Sequence, residues 1–294
     1  MSLRFAPPTA LPRCGSFEEA DGLMDLAAEY NNRALVPNHG EIISRWHRDA
    51  AAYRAVAGGE LDVPYGARPR NRLDIFSGRG GAVDGALVVF IHGGYWRSFD
   101  KSVFSHVAGP ANAAGLDVVV PGYTLCPEVT LADIIDEIRQ CCLFLFRRLG
   151  RQLVLTGHSA GGHLAAAMAA TDWQLFGAPR DLIKAGLSIS GIFDLRPLMA
   201  TPYNDDLRLT AVEAVAGSPL FWPVPNRVVF DSWVGGEESF EFQRQARSIA
   251  AAWTGLGLDS HYEAVPGENH FSIGDAFSRS NHPITRRLLE IVRG

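Results

Sequence analysis

The chain has 294 residues, 47% of them hydrophobic and 20% charged, enough apolar material for one large core. A formal net charge of −5 with scattered arginines excludes the basic face that a nucleic-acid partner requires. The apolar runs have strand length, well short of a bilayer span, and Pro7-Pro8 and acidic residues stand where a signal peptide needs unbroken apolar sequence, so a cytoplasmic protein without membrane association is expected.

Residues 1–60 read as a helical extension or partial cap. Apolar residues recur at helical spacing over 16–35 and again over 41–58, on either side of Pro37. Residues 61–294 read as the main domain, with no linker composition and no repeat. Two short alternating runs, 61–66 and 71–78, look like antiparallel strands at a sheet edge. From residue 86 the character changes. The runs 86–94, 116–123, 151–159, 185–191 and 227–236 are apolar, β-branched and end in glycine or small polar residues, as strands buried on both faces do. Helical stretches over 103–115, 130–150, 161–173 and 239–253 alternate with them. The alternation predicts an α/β fold with a mostly parallel central sheet, helices on both faces, and a site at the carboxyl ends of the strands. The four cysteines, Cys14, Cys126, Cys141 and Cys142, have no zinc-ligand spacing; buried free thiols are expected.

Gly157-His158-Ser159-Ala160-Gly161 fits G-x-S-x-G between an apolar run and a helical one, the strand–turn–helix context in which this motif presents a nucleophilic serine. A glycine on each side lets strand and helix approach closely, and the helix N-terminus favours the negative charge that develops there. One strand earlier lies His92-Gly93-Gly94-Tyr95-Trp96. The N–H groups of Gly93 and Gly94, with that of Ala160, are candidates for an oxyanion hole; His92 is read as holding the loop. Among the late histidines, His261 lies inside an alternating run and His282 precedes Pro283, whereas His270 follows a Pro-Gly turn and is best placed as general base. The acid that orients it belongs after the run 227–236. Asp231 lies within that run, Glu237 and Glu238 follow it directly, and Asp194 ends an earlier strand; Glu238 is preferred. His158 and His163 could suggest a metal pair, but no third ligand joins them, and neither metal nor organic cofactor is expected.

With these residues in hand, the sequence resembles the kynurenine formamidase (arylformamidase) branch of the α/β-hydrolases, related to hormone-sensitive-lipase-type esterases. The segments that carry the resemblance are HGGYW at 92–96, GHSAGGHLAA at 157–166, SISGIFDLRPL at 188–198, VGGEESFEFQRQ at 234–245 and ENHF at 268–271, with YNNRALVPNH at 30–39 also similar to bacterial members. The resemblance implies an α/β-hydrolase fold with Ser159 as nucleophile, His270 as base and Glu238 as acid, where better-known members carry Asp. The implied reaction is hydrolysis of N-formyl-L-kynurenine to kynurenine and formate. Other readings of the same residues are a general carboxylesterase and an inactive hydrolase-fold binding module. Tyr95, Trp96 and His158 are candidate substrate contacts for an aromatic amide or ester, though Tyr95 and Trp96 can equally pack beneath the loop. Residues 201–225 are read as a partial lid, and a homodimer is a common state for such enzymes.

Overall fold

The computed structural model describes residues 24–80, 85–224 and 227–293. Cys14 and the first part of the 16–35 helical pattern lie outside the described residues. Eight strands form one sheet: β1 (Gly59–Pro64), β2 (Arg72–Phe76), β3 (Leu87–Ile91), β4 (Val118–Pro121), β5 (Leu153–His158), β6 (Ile183–Ile189), β7 (Val229–Gly235) and β8 (Asp259–Val265). Their order is β1-β2-β4-β3-β5-β6-β7-β8; β2 is antiparallel to β1 and β4, and the other neighbours are parallel.

The continuous apolar runs exist because the central strands serve two cores at once. Along β3 the pleat sends Leu87, Val89 and Ile91 into one hydrophobic cluster and Val88 and Phe90 into the other. The helices Leu131–Leu149, Ala160–Ala169 and Phe240–Gly255 bury side chains in the first cluster. The helices His39–Val56 and Pro283–Arg293 bury theirs in the second. Leu131–Leu149 begins at a capping box between Thr130 and Asp133 and stops at Gly150, which adopts a left-handed φ of 66°. Its buried stripe includes Ile134, Ile138, Cys141, Cys142 and Leu145. Cys126, Cys141 and Cys142 are free and buried, as expected, and burial pushes the Cys142 thiol up to about 12.

The stretch 103–115 departs from the single helix that the sequence suggests. It forms two 3-10 turns, Lys101–Val103 and Ser105–Ala108, then a short helix, Gly109–Ala113. Pro110 is the reason: it has no N–H to continue an incoming helix and instead occupies the first turn of a new one. The expected extension is reduced, within the described residues, to two helical turns, Leu26–Glu29 and Asn32–Leu35, followed by His39–Val56. It is knitted into the body. The buried Tyr30 hydroxyl donates to Glu241 at 2.8 Å and accepts from Gln245 at 2.9 Å, and Trp46 is fully enclosed. No described helix is long and apolar enough to cross a membrane.

Candidate active site

β4 lies on one side of β3 and β5 on the other, so the chain winds in opposite directions from β3 and leaves a crevice at the carboxyl ends of β3 and β5. Ile91 pairs with Gly157, which sets His92-Gly93 beside His158-Ser159. The next steps of the sheet continue the series: Ser159 N–H donates to the Ile189 carbonyl at 2.8 Å, and Ser190 N–H donates to the Trp233 carbonyl at 2.7 Å.

Ser159 sits on the turn between β5 and the helix Ala160–Ala169 with φ 56° and ψ −119°, a backbone conformation that costs a non-glycine residue on the order of 1–3 kcal/mol. The flanking glycines allow this turn. A Cβ on Gly161 would stand 1.9 Å from the Ile91 carbonyl oxygen, and one on Gly157 would stand 2.5 Å from the Gly161 carbonyl. Strand and helix therefore touch backbone to backbone, and the serine projects from the apex.

Glu238 follows the tight turn after β7. Its side chain is fully buried, and one carboxylate oxygen accepts from His270 Nδ1 at 2.6 Å. The other accepts from the Gly235 N–H at 2.7 Å and from the Ser190 hydroxyl. A carboxylate only accepts from the ring, so Nδ1 carries a proton, which in the neutral ring leaves the lone pair on Nε2. The remaining candidates lie elsewhere. Asp231 is tied to Arg287 at 2.5 Å, Asp194 chelates Arg196, and Glu237 is exposed. His261 is exposed beside Asp259, and His282 faces Glu268 at 3.3 Å. Ser159 and His270 line one pocket; among the described residues no hydrogen bond joins the serine hydroxyl to the ring.

The loop after β3 is shaped by close approach. A Cβ on Gly93 would meet the His158 carbonyl oxygen at 2.7 Å, and Gly94 has φ 113°. Only glycine brings these amides so close to the serine turn. His92 is fully buried, its ring stacked 4.3 Å from that of Tyr123, with Nδ1 2.8 Å from the Gly93 carbonyl oxygen. Burial lowers its pKa to about 4, so it is neutral and holds the loop. Tyr95 and Trp96 part company. Both have left-handed φ, 51° and 55°, yet Tyr95 lines the pocket while Trp96 lies fully buried, edge-on to His163. The candidate substrate role of Trp96 is thereby corrected: the side chain packs beneath the loop, because the turn directs adjacent residues to opposite sides. His158 lines the pocket, and its Nε2 donates to the His270 carbonyl at 2.9 Å. Burial, reinforced by the neighbouring His270, holds His158 well below the usual imidazole range. His163 instead turns its Nε2 to the Gly217 carbonyl, so the two histidines do not share a ligand position.

Several pocket residues come from segments without a recognisable motif. Asn32, Arg33 and Trp46 arrive from the N-terminal segment, Tyr203 from the 201–225 segment and Phe271 from beside His270. The ring of Tyr203 stacks 3.9 Å from that of Tyr95, which donates to the Tyr30 carbonyl at 2.7 Å. Trp46 packs on Phe104 and Phe271 with centroids 5.4 and 6.1 Å away. The YNNR run and a tryptophan on an amphipathic helix were the available signals; neither says where the segment docks. The cavity volume is about 120 Å³. Its wall is largely aromatic, from Trp46, Tyr95, Phe99, Phe104, Tyr203 and Phe271, which suits an aryl group.

The kynurenine formamidase of Danio rerio is 31% identical over 247 residues, covering 81% of this chain and 84% of that protein. The chain belongs to the kynurenine formamidase family. The Drosophila melanogaster kynurenine formamidase is 28% identical, over 76% of this chain and 78% of its own. A family model for the alpha/beta hydrolase fold matches residues 88–227. A crystal structure of a thioesterase candidate from Silicibacter sp. TM1040 superposes with TM-score 0.82 at 32% identity, covering 92% of this chain and all of that one. An esterase of the bacterial hormone-sensitive lipase family, 19% identical with TM-score 0.64, shares the fold. This member of the formamidase family is a hydrolase.

Proposed function

We propose that the protein is a serine hydrolase that removes the formyl group of N-formyl-L-kynurenine or a closely related aryl formamide. The carrying observation is the buried Glu238 carboxylate 2.6 Å from His270 Nδ1, with His270 and the strained Ser159 lining one pocket walled by aromatic side chains. In this mechanism Ser159 Oγ attacks the formyl carbon while its proton passes to His270 Nε2. The N–H groups of Gly93, Gly94 and Ala160 receive the oxyanion. Collapse breaks the C–N bond, and the imidazolium returns the proton to the departing aryl amine. Water then repeats the sequence on the formyl-serine ester and releases formate. Glu238 fixes the ring and balances its positive charge. A monomeric or dimeric cytoplasmic enzyme needs nothing further for this chemistry.

The test is steady-state hydrolysis of N-formyl-L-kynurenine beside p-nitrophenyl acetate, wild type against Ser159→Ala. The reading expects a much higher kcat/KM on the formamide and loss of both activities in the variant. Cleavage of the ester alone would leave a carboxylesterase, a reading favoured by the 26% identity to an Arabidopsis thaliana isoprenylcysteine alpha-carbonyl methylesterase over 61% of this chain.

A further inference from the structure

The pocket is polar in a one-sided way. Two guanidinium groups line it, Arg33 and Arg97, and no Asp or Glu does. Arg97 is already committed: its Nη1 lies 2.8 Å from Asp206 and its guanidinium lies over the Tyr203 ring. Arg33, on the helical turn Asn32–Leu35 at the pocket rim, has no carboxylate or carbonyl partner among the described residues. Its charge reaches into the cavity wall. Burial pushes the Tyr203 phenol up, and the charges of Arg33 and Arg97 act against that shift. The turn is fixed from below, because Asn32 is buried and donates to the Tyr95 hydroxyl at 3.3 Å, and Asn31 caps it through the Ala34 N–H. An uncommitted, exposed arginine on an anchored turn, at the rim of an aromatic-lined pocket free of carboxylates, matches a carboxylate presented by a bound molecule.

We infer that Arg33 is a specificity-determining residue that binds a free carboxylate on the substrate, so that the pocket selects carboxylate-bearing aryl formamides or esters over those without one. The inference deepens the formamidase reading, since N-formyl-L-kynurenine carries an α-carboxylate remote from the formamide, and it also applies if the natural substrate is an ester. Arg33 takes no part in bond making; it positions the substrate through its charge.

The experiment uses two matched pairs on wild type, Arg33→Gln and Arg33→Lys. The formamide pair is N-formyl-L-kynurenine against neutral 2-formamidoacetophenone; the ester pair is mono-4-nitrophenyl succinate against 4-nitrophenyl acetate. Arg33→Gln is expected to lower kcat/KM for the carboxylate-bearing member of each cleaved pair by about tenfold or more, through KM, and to leave the neutral member within about twofold. Arg33→Lys restores part of the loss, and added salt raises KM for mono-4-nitrophenyl succinate in wild type more than in Arg33→Gln. If wild type cleaves neither formamide, the formamidase reading falls and the ester pair alone decides the carboxylate site. Equal effects on charged and neutral members, or no effect on either, would overturn the role of Arg33.

Discussion

Glu238 illustrates how much one residue depends on its surroundings. Three donors hold its carboxylate: His270, the Gly235 amide and the Ser190 hydroxyl. Glu238→Gln keeps the shape but presents the ring with an amide in place of a charge, which disfavours both the required tautomer and the imidazolium. It is expected to lower kcat by roughly 10²–10⁴-fold with little change in KM, measured at pH 7.5 on whichever substrate wild type cleaves. An unchanged kcat would remove Glu238 from the mechanism. The proposed triad was legible in the sequence because each member lies within a few residues of a strand end, where local pattern and chain order suffice. Trp96 was not: nothing in the letters Tyr-Trp reveals that two successive left-handed residues send one ring to the pocket and the other into the core. Arg33, Tyr203 and Ser190 were missed for a related reason. Tyr203 and Ser190 matter through contacts across long separations, with Tyr95 and Glu238, and Arg33 through where its turn docks, none of which a local pattern encodes.

At the scale of elements, the sheet and its long helices followed from the apolar runs and their caps. The helix Leu131–Leu149 carries both signals, a capping box at Thr130 and a left-handed stop at Gly150. Thr130→Ala removes the oxygen that accepts the Asp133 N–H and should destabilise the protein by about 1 kcal/mol. Thermal melts with activity at low temperature unchanged would fit that local role. The stretch 103–115 was the less legible element. Its composition suits a helix, yet the Gly109-Pro110 step divides it into turns, and only in the fold does that division give Phe104 its place against Trp46 and His92. The 201–225 segment also acquires meaning only by docking. Its residue Tyr203 forms a pocket wall by stacking on Tyr95, consistent with the partial cover expected over the site.

Among the described residues, burial lowers the pKa of four histidines, His92, His106, His158 and His163. His92 and His163 are each lowered to about 4, and His158 is held well below 6.5. Above about pH 6.5 neither the folded nor the unfolded chain protonates them, so their effect on stability is nil. As pH falls through 6.5 toward 4, the unfolded chain takes up protons that the folded one refuses, and stability declines. For His92 and His163 the loss is about 2 kcal/mol each at pH 5. Urea midpoints measured from pH 7.5 to 5 should stay level down to about pH 6.5 and then fall, and a flat profile throughout would contradict the neutral buried assignment. The loss is shared by the β3 loop and the serine turn, so inactivation in mild acid should accompany unfolding.

Trp46 is the one tryptophan among the described residues that lines the pocket, although its helix lies far from the motifs in sequence. Its indole stands against Phe271 and edge-on to His158, one shell from the reacting groups. The enzyme therefore carries its own optical reporter. An aryl ketone entering the cavity comes close enough to accept the excitation energy of that indole, so occupancy becomes visible as quenched emission even when Ser159→Ala has stopped turnover. Trp46→Phe would leave the other, more distant tryptophans shining and weaken the response.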